Sequence, residues 1–482
     1  MRKVLLYICS VFILGGMTSC EDFLDKREDV GLTEDDIFRD YYSLRGFLDQ
    51  SFNQLENVMV MDNWENGRAF VGLFADEMAT TDNSSAVFTL HSGNWLSNAK
   101  SNKTFEIGNA GSTAISRSYK ALRINNRIIN DIDKAPLTPE QKNEILGQAY
   151  FYRSWFYFQI IKRYGGMPII DKVFEGGDDD IPRMTYHESH DWMMEDIQKA
   201  IYMLPDSWDD PNYGRPTKIA AMALKEWAQL FDASPLMQND LNSTENKGYD
   251  TERAKSAAKS AYEVIRYMDG SKSAPYPYGL ASKEEYTNVF YFKYPPVHQP
   301  EYIWVKRQFP NAANQNQKRT IRTFWQYEDL AFGSGPDGNS MCCPSLNIVN
   351  MFDKKGADGI YYPIDDPRSG YALDYDHKPF EDRDPRFYNN ILLPGTTWGH
   401  YADGRTYYIT TYKGGAAYQH MLTQKDCNKR MFTGFMCKKF MWPECNQYLE
   451  KNNPNCWWDY RFLTIYILSL IHISEPTRLL SI

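Results

Sequence analysis

TPEQKNEILGQAYFYRSWFYFQIIKRYGGMPII, Thr138 to Ile170, is the stretch from which the fold can be read. It opens as a helix should. Thr138 can accept a hydrogen bond from the first turn, Pro139 has no N–H to leave unsatisfied, and Gln141 can reach back to complete a capping box. It closes at Gly165-Gly166, with Pro168 just beyond. Between these signals the apolar residues do not keep to one stripe. Ile145, Ala149, Tyr152, Phe156 and Ile160 form one row; Leu146, Tyr150, Tyr157, Ile161 and Tyr164 form another; Phe151, Trp155 and Phe158 form a third. A helix that is apolar nearly all round is buried nearly all round, so other helices must pack on several of its sides. Its aromatic residues are read as core packing, not as ligand contacts.

Working outward, helical signals recur on both flanks. Thr33 to Leu55 reads as a first helix capped by Thr33, with Asp35 and Asp36 near its positive end. Ser51 to Lys103 is mixed and loop-rich. Ser112 to Ile132 has helical period, with Ile115, Tyr119, Leu122 and Ile129 on one face. After the central helix and an acidic loop from Glu175 to Asp180, Thr185 and Glu188 make a capping box for a helix to Leu204, stopped by Pro205. Thr217 to Phe231 and Thr251 to Met268 repeat the pattern. Paired helices of this length suggest tetratricopeptide-like hairpins, although the repeat is degenerate. From about Lys272 the helical period fades into Tyr, Pro, Gly and Asn, with short strands such as Glu301 to Lys306. The fold class is mainly α: a helical hairpin scaffold over about 33–268 and a loop-rich region with a few short strands over about 272–460.

The 482-residue chain is long enough for one large core or two ordinary ones. A net charge of −9 and a pI near 5.5 exclude the basic footprint that nucleic acid requires. Mean hydropathy of −0.57, with no apolar run of spanning length, argues against an integral membrane protein. Residues 1–19 read as a processing signal: Arg2 and Lys3 precede an apolar run from Val4 to Leu14 that is too short to span. Met17-Thr18-Ser19-Cys20 resembles a lipobox, so cleavage before Cys20 and lipidation of that cysteine would anchor the chain. A plain secretory signal with an incidental cysteine is the alternative. Of the six later cysteines, Cys342, Cys343, Cys427, Cys437, Cys445 and Cys456, no pair has zinc-site spacing, and all are read as structural.

Few patterns carry chemistry. Gly333, Gly335 and Gly338 satisfy G-x-G-x-x-G, but Pro336 interrupts it and no strand–helix frame surrounds it, so it reads as a loop. His187 and His190 share the first turn of a helix without a third ligand and read as a solvated pair. No catalytic text, metal set or cofactor motif is recognised, and paired carboxylates for glycoside hydrolysis stay open. Aromatics make up 15% of the chain, and several of them have polar neighbours in loop-like stretches. These are Asn94-Trp95, Tyr291 and Tyr294, Trp325 and Tyr327 flanking Gln326, and Trp398 beside His400. A flat ring stacks on the apolar face of a pyranose while nearby amides and guanidinium groups satisfy its hydroxyls. The same rings can instead close loops over the core or meet a partner protein.

The text of the central helix, Gln148-Ala149-Tyr150-Phe151-Tyr152-Arg153-Ser154-Trp155-Phe156-Tyr157-Phe158 and then Arg163-Tyr164-Gly165-Gly166-Met167-Pro168, resembles the signature helix of the SusD/RagB family. Similar text follows in order. It comprises Cys20-Glu21-Asp22-Phe23-Leu24-Asp25 after the lipobox, Gly214-Arg215-Pro216-Thr217-Lys218-Ile219-Ala220-Ala221 and Gln299-Pro300-Glu301-Tyr302-Ile303-Trp304. Further on come Pro344-Ser345 leading to Met351-Phe352-Asp353, then Arg383-Asp384-Pro385-Arg386-Phe387 and Thr433-Gly434-Phe435-Met436-Cys437-Lys438-Lys439-Phe440. The matches run from Cys20 to about Tyr466, over the 20–467 region taken as one SusD-like domain.

The resemblance implies an outer-membrane, cell-surface nutrient-binding lipoprotein of Bacteroidetes that is not an enzyme. It would have a tetratricopeptide-like scaffold and form a lid over a SusC-like TonB-dependent transporter, to which it delivers captured oligosaccharides. A peptide-binding lid of a RagA-like transporter is a second reading, and a surface glycoside hydrolase a third. Asp459 to Tyr466 looks like the entry to a late family helix. Residues from Ser469 to Arg478 resemble translated adapter read-through, so 468–482 is read as an artefactual tail on a chain lacking the family's last helices. That reading expects some Tyr, Phe or Ile of the central helices to stand uncovered.

Overall fold

The computed structural model describes residues 33–55, 77–79, 114–174, 180–238, 248–273, 277–282, 285–289, 299–307, 343–373, 378–400, 406–415, 433–439 and 463–468. The helices are α1 (Glu34–Ile37), α2 (Tyr41–Gln54), α3 (Ala114–Asp131), α4 (Pro139–Tyr164), α5 (Tyr186–Met203), α6 (Lys218–Ala233) and α7 (Thr251–Gly270), followed by short α8 (Tyr286–Val289), α9 (Leu346–Met351) and α10 (Pro385–Asn390). The strands are β1 (Met78–Ala79), β2 (Tyr302–Arg307), β3 (Cys343–Pro344), β4 (Lys354–Lys355), β5 (Tyr361–Tyr362), β6 (Ile391–Leu392), β7 (Thr397–His400), β8 (Thr406–Tyr408), β9 (Met436–Cys437) and β10 (Leu463–Leu468). They pair two by two and antiparallel, β1 with β3, β2 with β10, β4 with β5, β6 with β9 and β7 with β8. The protein is mainly α, as its periodicity predicts.

Local signals set the helix ends. Thr138 and Gln141 close the predicted capping box on α4, and Thr185 and Glu188 do the same on α5. α4 stops at Gly165, whose φ of 76° lies in the left-handed region that glycine enters without strain. The expected first helix is two. Thr33 and Asp36 form a capping box on the single turn α1, and Asp40 then caps α2 by accepting from the Ser43 N–H. Asp36 therefore serves as a reciprocal cap as well as a charge near the helix start.

α4 is the centre of the packing. α3 lies on one side of it and α5 on the other, α2 touches both α3 and α4, and α5, α6 and α7 follow as successive neighbours. From Ile145 to Ile161 every residue of α4 except Tyr150 is buried. The apolar rows thus meet neighbours on several sides, which is why no single stripe could be drawn. Burial of this many rings and aliphatic side chains is the main stabilising term of the scaffold. Among the described residues of α4 there is no uncovered apolar strip; the exposed tyrosines Tyr42, Tyr202 and Tyr262 lie on α2, α5 and α7.

The later text builds a second, smaller core. Val349 of α9, Phe387 of α10, Ile391, Leu393 and Phe435 are buried together. Arg383 holds this core from inside. Its guanidinium donates to the carbonyls of Val349 (2.6 Å), Phe352 (2.5 Å) and Pro379 (3.2 Å), so a buried cation satisfies backbone acceptors that helices and strands leave open. Asp384 caps α10 through the Arg386 N–H and pairs with the Arg386 guanidinium. Leu463 to Tyr466, the described part of the stretch from Asp459 to Tyr466 expected to enter a helix, lie instead on β10, which runs antiparallel to β2 from Leu463 opposite Arg307 to Leu468 opposite Tyr302. Leu463-Thr464-Ile465-Tyr466-Ile467-Leu468 is rich in β-branched and aromatic residues, and β2 supplies an edge with which it pairs.

Gly166 is required by close packing rather than by its dihedral angles. A Cβ on Gly166 would lie 2.1 Å from the Met184 carbonyl oxygen and 2.3 Å from the Thr185 carbonyl carbon, where the chain returns to start α5. Gly166→Ala is expected to cost about 1–3 kcal/mol through this overlap. Gly46, inside α2, has nothing within 4 Å of such a Cβ, so Gly46→Ala should stabilise by about 0.5–1 kcal/mol through helix propensity. Urea midpoints of the two variants should move in opposite directions; equal shifts would contradict the packing argument.

Candidate functional site

Three charged clusters tie the scaffold together, two where helices meet and one where the α5–α6 connection meets α2 and α4. Arg153, buried inside α4, makes paired hydrogen bonds to Asp196 of α5 at 2.6 and 2.8 Å and a third to Asn126 Oδ1 of α3 at 2.9 Å. Asn126 passes the link on, donating to the Ile170 and Lys172 carbonyls at 3.0 and 3.1 Å. Arg215, within Gly214-Arg215-Pro216-Thr217, makes the same fork to Asp49 of α2 at 2.7 and 2.8 Å and reaches Gln148 of α4 at 3.0 Å. Both arginines are engaged in positioning helices, and their charge is matched where it stands.

The third cluster corrects the reading of His187 and His190 as a solvated pair. Both turn toward Asp232 of α6, with His187 Nδ1 at 2.8 Å and His190 Nδ1 at 3.6 Å, and Arg253 of α7 also contacts that carboxylate. His190 and Asp232 are buried. The start of α5 packs on the end of α6, so a polar turn that looks solvent-facing in sequence encloses a buried acid that needs donors. Asp191, beside His190, has its carboxyl held down at about 2, first by the hydrogen bond from His190 and then by Arg253.

The described residues also line a partly open cavity of about 130 Å³, where the α5–α6 connection and residues 277–278 meet β2. Its walls include Trp208, Tyr213, Tyr278, Tyr302 and Trp304, with Thr217 and Gln299 among the polar groups. The two indole N–H groups are committed elsewhere: Trp208 donates to the Pro216 carbonyl at 2.8 Å and Trp304 to the Gly214 carbonyl at 3.1 Å. Trp304 is locked edge-on against Phe151 and Trp155 of α4, with ring centroids 4.8 and 4.9 Å apart. The cavity therefore sits directly on the central helix. Gly214 to Thr217 and Gln299 to Trp304, distant stretches of family-like text, are its two sides.

Of the aromatic residues singled out in loops, only Trp398 is among the described residues. Asn94, Trp95, Tyr291, Tyr294, Trp325 and Tyr327 lie outside the described residues, as does Cys20. Trp398 lies on β7, between Thr397, which pairs with Tyr408, and His400, which pairs with Thr406, where the register shifts. The cavity residues were missed because their text reads as structural. The available signal was the aromatic content of the connection, Trp208 and Tyr213 in nine residues between Pro205 and Arg215.

Comparison with known proteins agrees with this architecture. A family described as "Starch-binding associating with outer membrane" matches residues 22–226, and the SusD family matches residues 300–466. No curated protein matches the chain. Among solved structures, a SusD-like protein from Bacteroides fragilis superimposes with a TM-score of 0.62 at 20% identity, over 93% of this chain and 77% of that one. A SusD-like carbohydrate-binding protein from the same species gives 0.60 at 17% identity, over 90% and 73%. A structure described with xylogluco-oligosaccharide gives 0.52 at 14% identity, over 88% and 68%. At these identities the superpositions establish a shared fold. The two family matches, in order along the chain, place it in a class of carbohydrate-binding proteins, and the first family is the one described as associating with the outer membrane. The chain belongs to the SusD/RagB family.

Proposed function

We propose that this protein is a lipid-anchored, cell-surface glycan-binding protein that captures oligosaccharides and hands them to a SusC-like TonB-dependent transporter in the outer membrane. The observation that carries the reading is the pair of family matches, the first to proteins described as starch-binding and associated with the outer membrane. Supporting it are the signal-like residues 1–19 ending at Cys20, the acidic residues that follow, and the ring-plus-amide stretches around Trp95, Tyr291, Tyr294, Trp325, Tyr327 and Trp398. The bound xylogluco-oligosaccharide named for one relative fits the same ligand class. The protein is a binder and carrier in this reading, with no bond made or broken on it.

The ligand test is a glycan array run beside a peptide pool on the purified protein. Retention of oligosaccharides is expected; retention of peptides alone would replace sugar by peptide as the cargo. Trp95→Ala or Trp325→Ala should then weaken oligosaccharide binding by roughly 1–3 kcal/mol, the worth of a stacking platform. Melting temperature should barely move. A large loss of stability at unchanged affinity would assign that tryptophan to packing.

Anchoring is tested separately. No helix among the described residues is long and apolar enough to cross a membrane, so the acyl chains on Cys20 are the proposed anchor. Cys20→Ala should move the protein from the membrane fraction to the soluble one in cells lacking the transporter. Retention in the membrane would contradict the lipid anchor.

A further inference from the structure

Two large aromatic side chains stand out to solvent on one short segment next to the smaller core. Tyr408, the last residue of β8, is 54% exposed, and Tyr412 is 50% exposed. Ile409 and Thr411, between them, are buried. Burial therefore alternates along 408–412 as it does along an extended chain with one wet face, and both tyrosines belong to the outer side. Four residues of extended chain span at most about 14 Å, so one short oligosaccharide can reach both rings.

The segment itself is held firmly. β8 pairs with β7, Tyr408 opposite Thr397, and the pairing continues past the end of the strand. The Ile409 N–H donates to the Thr396 carbonyl at 2.9 Å, and the Gly395 N–H donates to the Ile409 carbonyl at 2.7 Å. The Thr411 hydroxyl donates to the Gly434 carbonyl at 3.3 Å, beside Phe435 of the smaller core, and the Gly415 N–H closes a turn on the Tyr412 carbonyl at 2.8 Å. Backbone bonds and buried side chains fix this ribbon, and the two rings take no part in it. Among the described residues neither ring stacks on another ring and neither hydroxyl has a hydrogen bond. Tyr202 and Tyr262 are exposed as well, but singly and on separate helices.

Such a pair is suited to a sugar. Rings left in water regain hydrophobic free energy by covering the apolar face of a pyranose, and a tyrosine on a rigid ribbon has only two side-chain torsions to lose in doing so. Thr397, opposite Tyr408, and Lys413, next to Tyr412, are exposed, and Lys413 has no ion pair among the described residues. Their hydroxyl and ammonium groups can donate to sugar hydroxyls at the edges of the rings. Trp398, singled out in the sequence, is carried by β7, the partner strand of the same ribbon.

We propose that Tyr408 and Tyr412 form a stacking platform for an oligosaccharide on the β7–β8 ribbon, with Thr397 and Lys413 hydrogen-bonded to its hydroxyls. The ligand class rests on the carbohydrate-binding reading; the choice of residues rests on the ribbon's geometry.

The test is affinity electrophoresis of the full chain through native gels containing soluble starch or xyloglucan, extended to any polysaccharide whose oligosaccharide is held on the array. The parent is expected to be retarded in at least one gel. Tyr408→Ala/Tyr412→Ala should raise the dissociation constant at least about ten-fold, whereas Tyr408→Phe/Tyr412→Phe, which keeps both rings, should stay within about three-fold of the parent. Tyr202→Ala, on α5, is the control and should bind as the parent does. All of these variants should melt with the parent, because the substituted side chains make no bond that holds the ribbon. Equal retardation of the parent and the double alanine variant would overturn the platform and leave the carbohydrate reading standing. A double alanine variant that melts well below the parent would assign the tyrosines to packing and overturn it as well. If no gel retards the parent and the array holds no sugar, the carbohydrate reading falls and the platform falls with it.

Discussion

Asp196→Ala is expected to lower the stability of the folded protein by about 3–5 kcal/mol, because it strands a buried guanidinium without its counter-ion. Arg153 and Asp196 are 5% and 2% exposed, and the two hydrogen bonds between them join α4 to α5 at the centre of the scaffold. The remaining bond, to Asn126, cannot replace a negative charge. Asp196→Asn should cost less, since an amide oxygen still accepts. The double variant Arg153→Met/Asp196→Leu, which removes both charges and fills the space with apolar groups, should recover much of the loss. Urea unfolding followed by far-ultraviolet circular dichroism measures all three. A loss below about 1 kcal/mol in Asp196→Ala would mean that water reaches Arg153 and that the pair is not the buried connector described above.

Glu226 should make stability fall as pH rises. It is 2% exposed on the inner face of α6, one carboxylate oxygen has no hydrogen-bond partner among the described residues, and burial alone pushes its pKa from 4.5 up to about 8. The folded protein therefore keeps this proton up to about pH 8, whereas the unfolded chain releases it near pH 4.5. Between those values the folded state binds more protons, so stability decreases with increasing pH, by about 3 kcal/mol at pH 7 relative to pH 4 for this group. Glu226→Gln cannot ionise and should remove that slope, becoming more stable than the parent above pH 7. Denaturation midpoints from pH 4 to 9 decide it: identical pH slopes in parent and variant would show that Glu226 is ionised in the folded protein at neutral pH.

Both effects depend on helices that were legible from local text. Thr138, Pro139 and Gln141 start α4 and Gly165 ends it by chemistry confined to a few residues on either side, so no other part of the chain need be known. The three aromatic rows of α4 announce burial on several sides in the same way. The family text was equally readable, although its physical meaning was not. Arg383 proves to be a buried clasp on backbone carbonyls, and Gly214 to Thr217 proves to be both the seat of the Arg215–Asp49 fork and one side of a cavity.

What only the tertiary structure decided is which distant groups meet. Arg153 and Asp196 are 43 residues apart, and neither carries a mark that names the other. The turn holding His187 and His190 looked solvated because a helix's own period does not reveal that the end of α6 will cover it with Asp232. Leu463 to Leu468 became a strand because β2 offered an edge, a partner that lies about 160 residues earlier and lends the local sequence its hydrogen bonds. The cavity closes only when the chain around Thr217 comes against Trp304, 90 residues after Gly214. Capping and periodicity act over one or two helical turns and so are written in the sequence itself. Charge pairing, strand pairing and the shape of a cavity are properties of surfaces brought together, and exist only once the helices have packed.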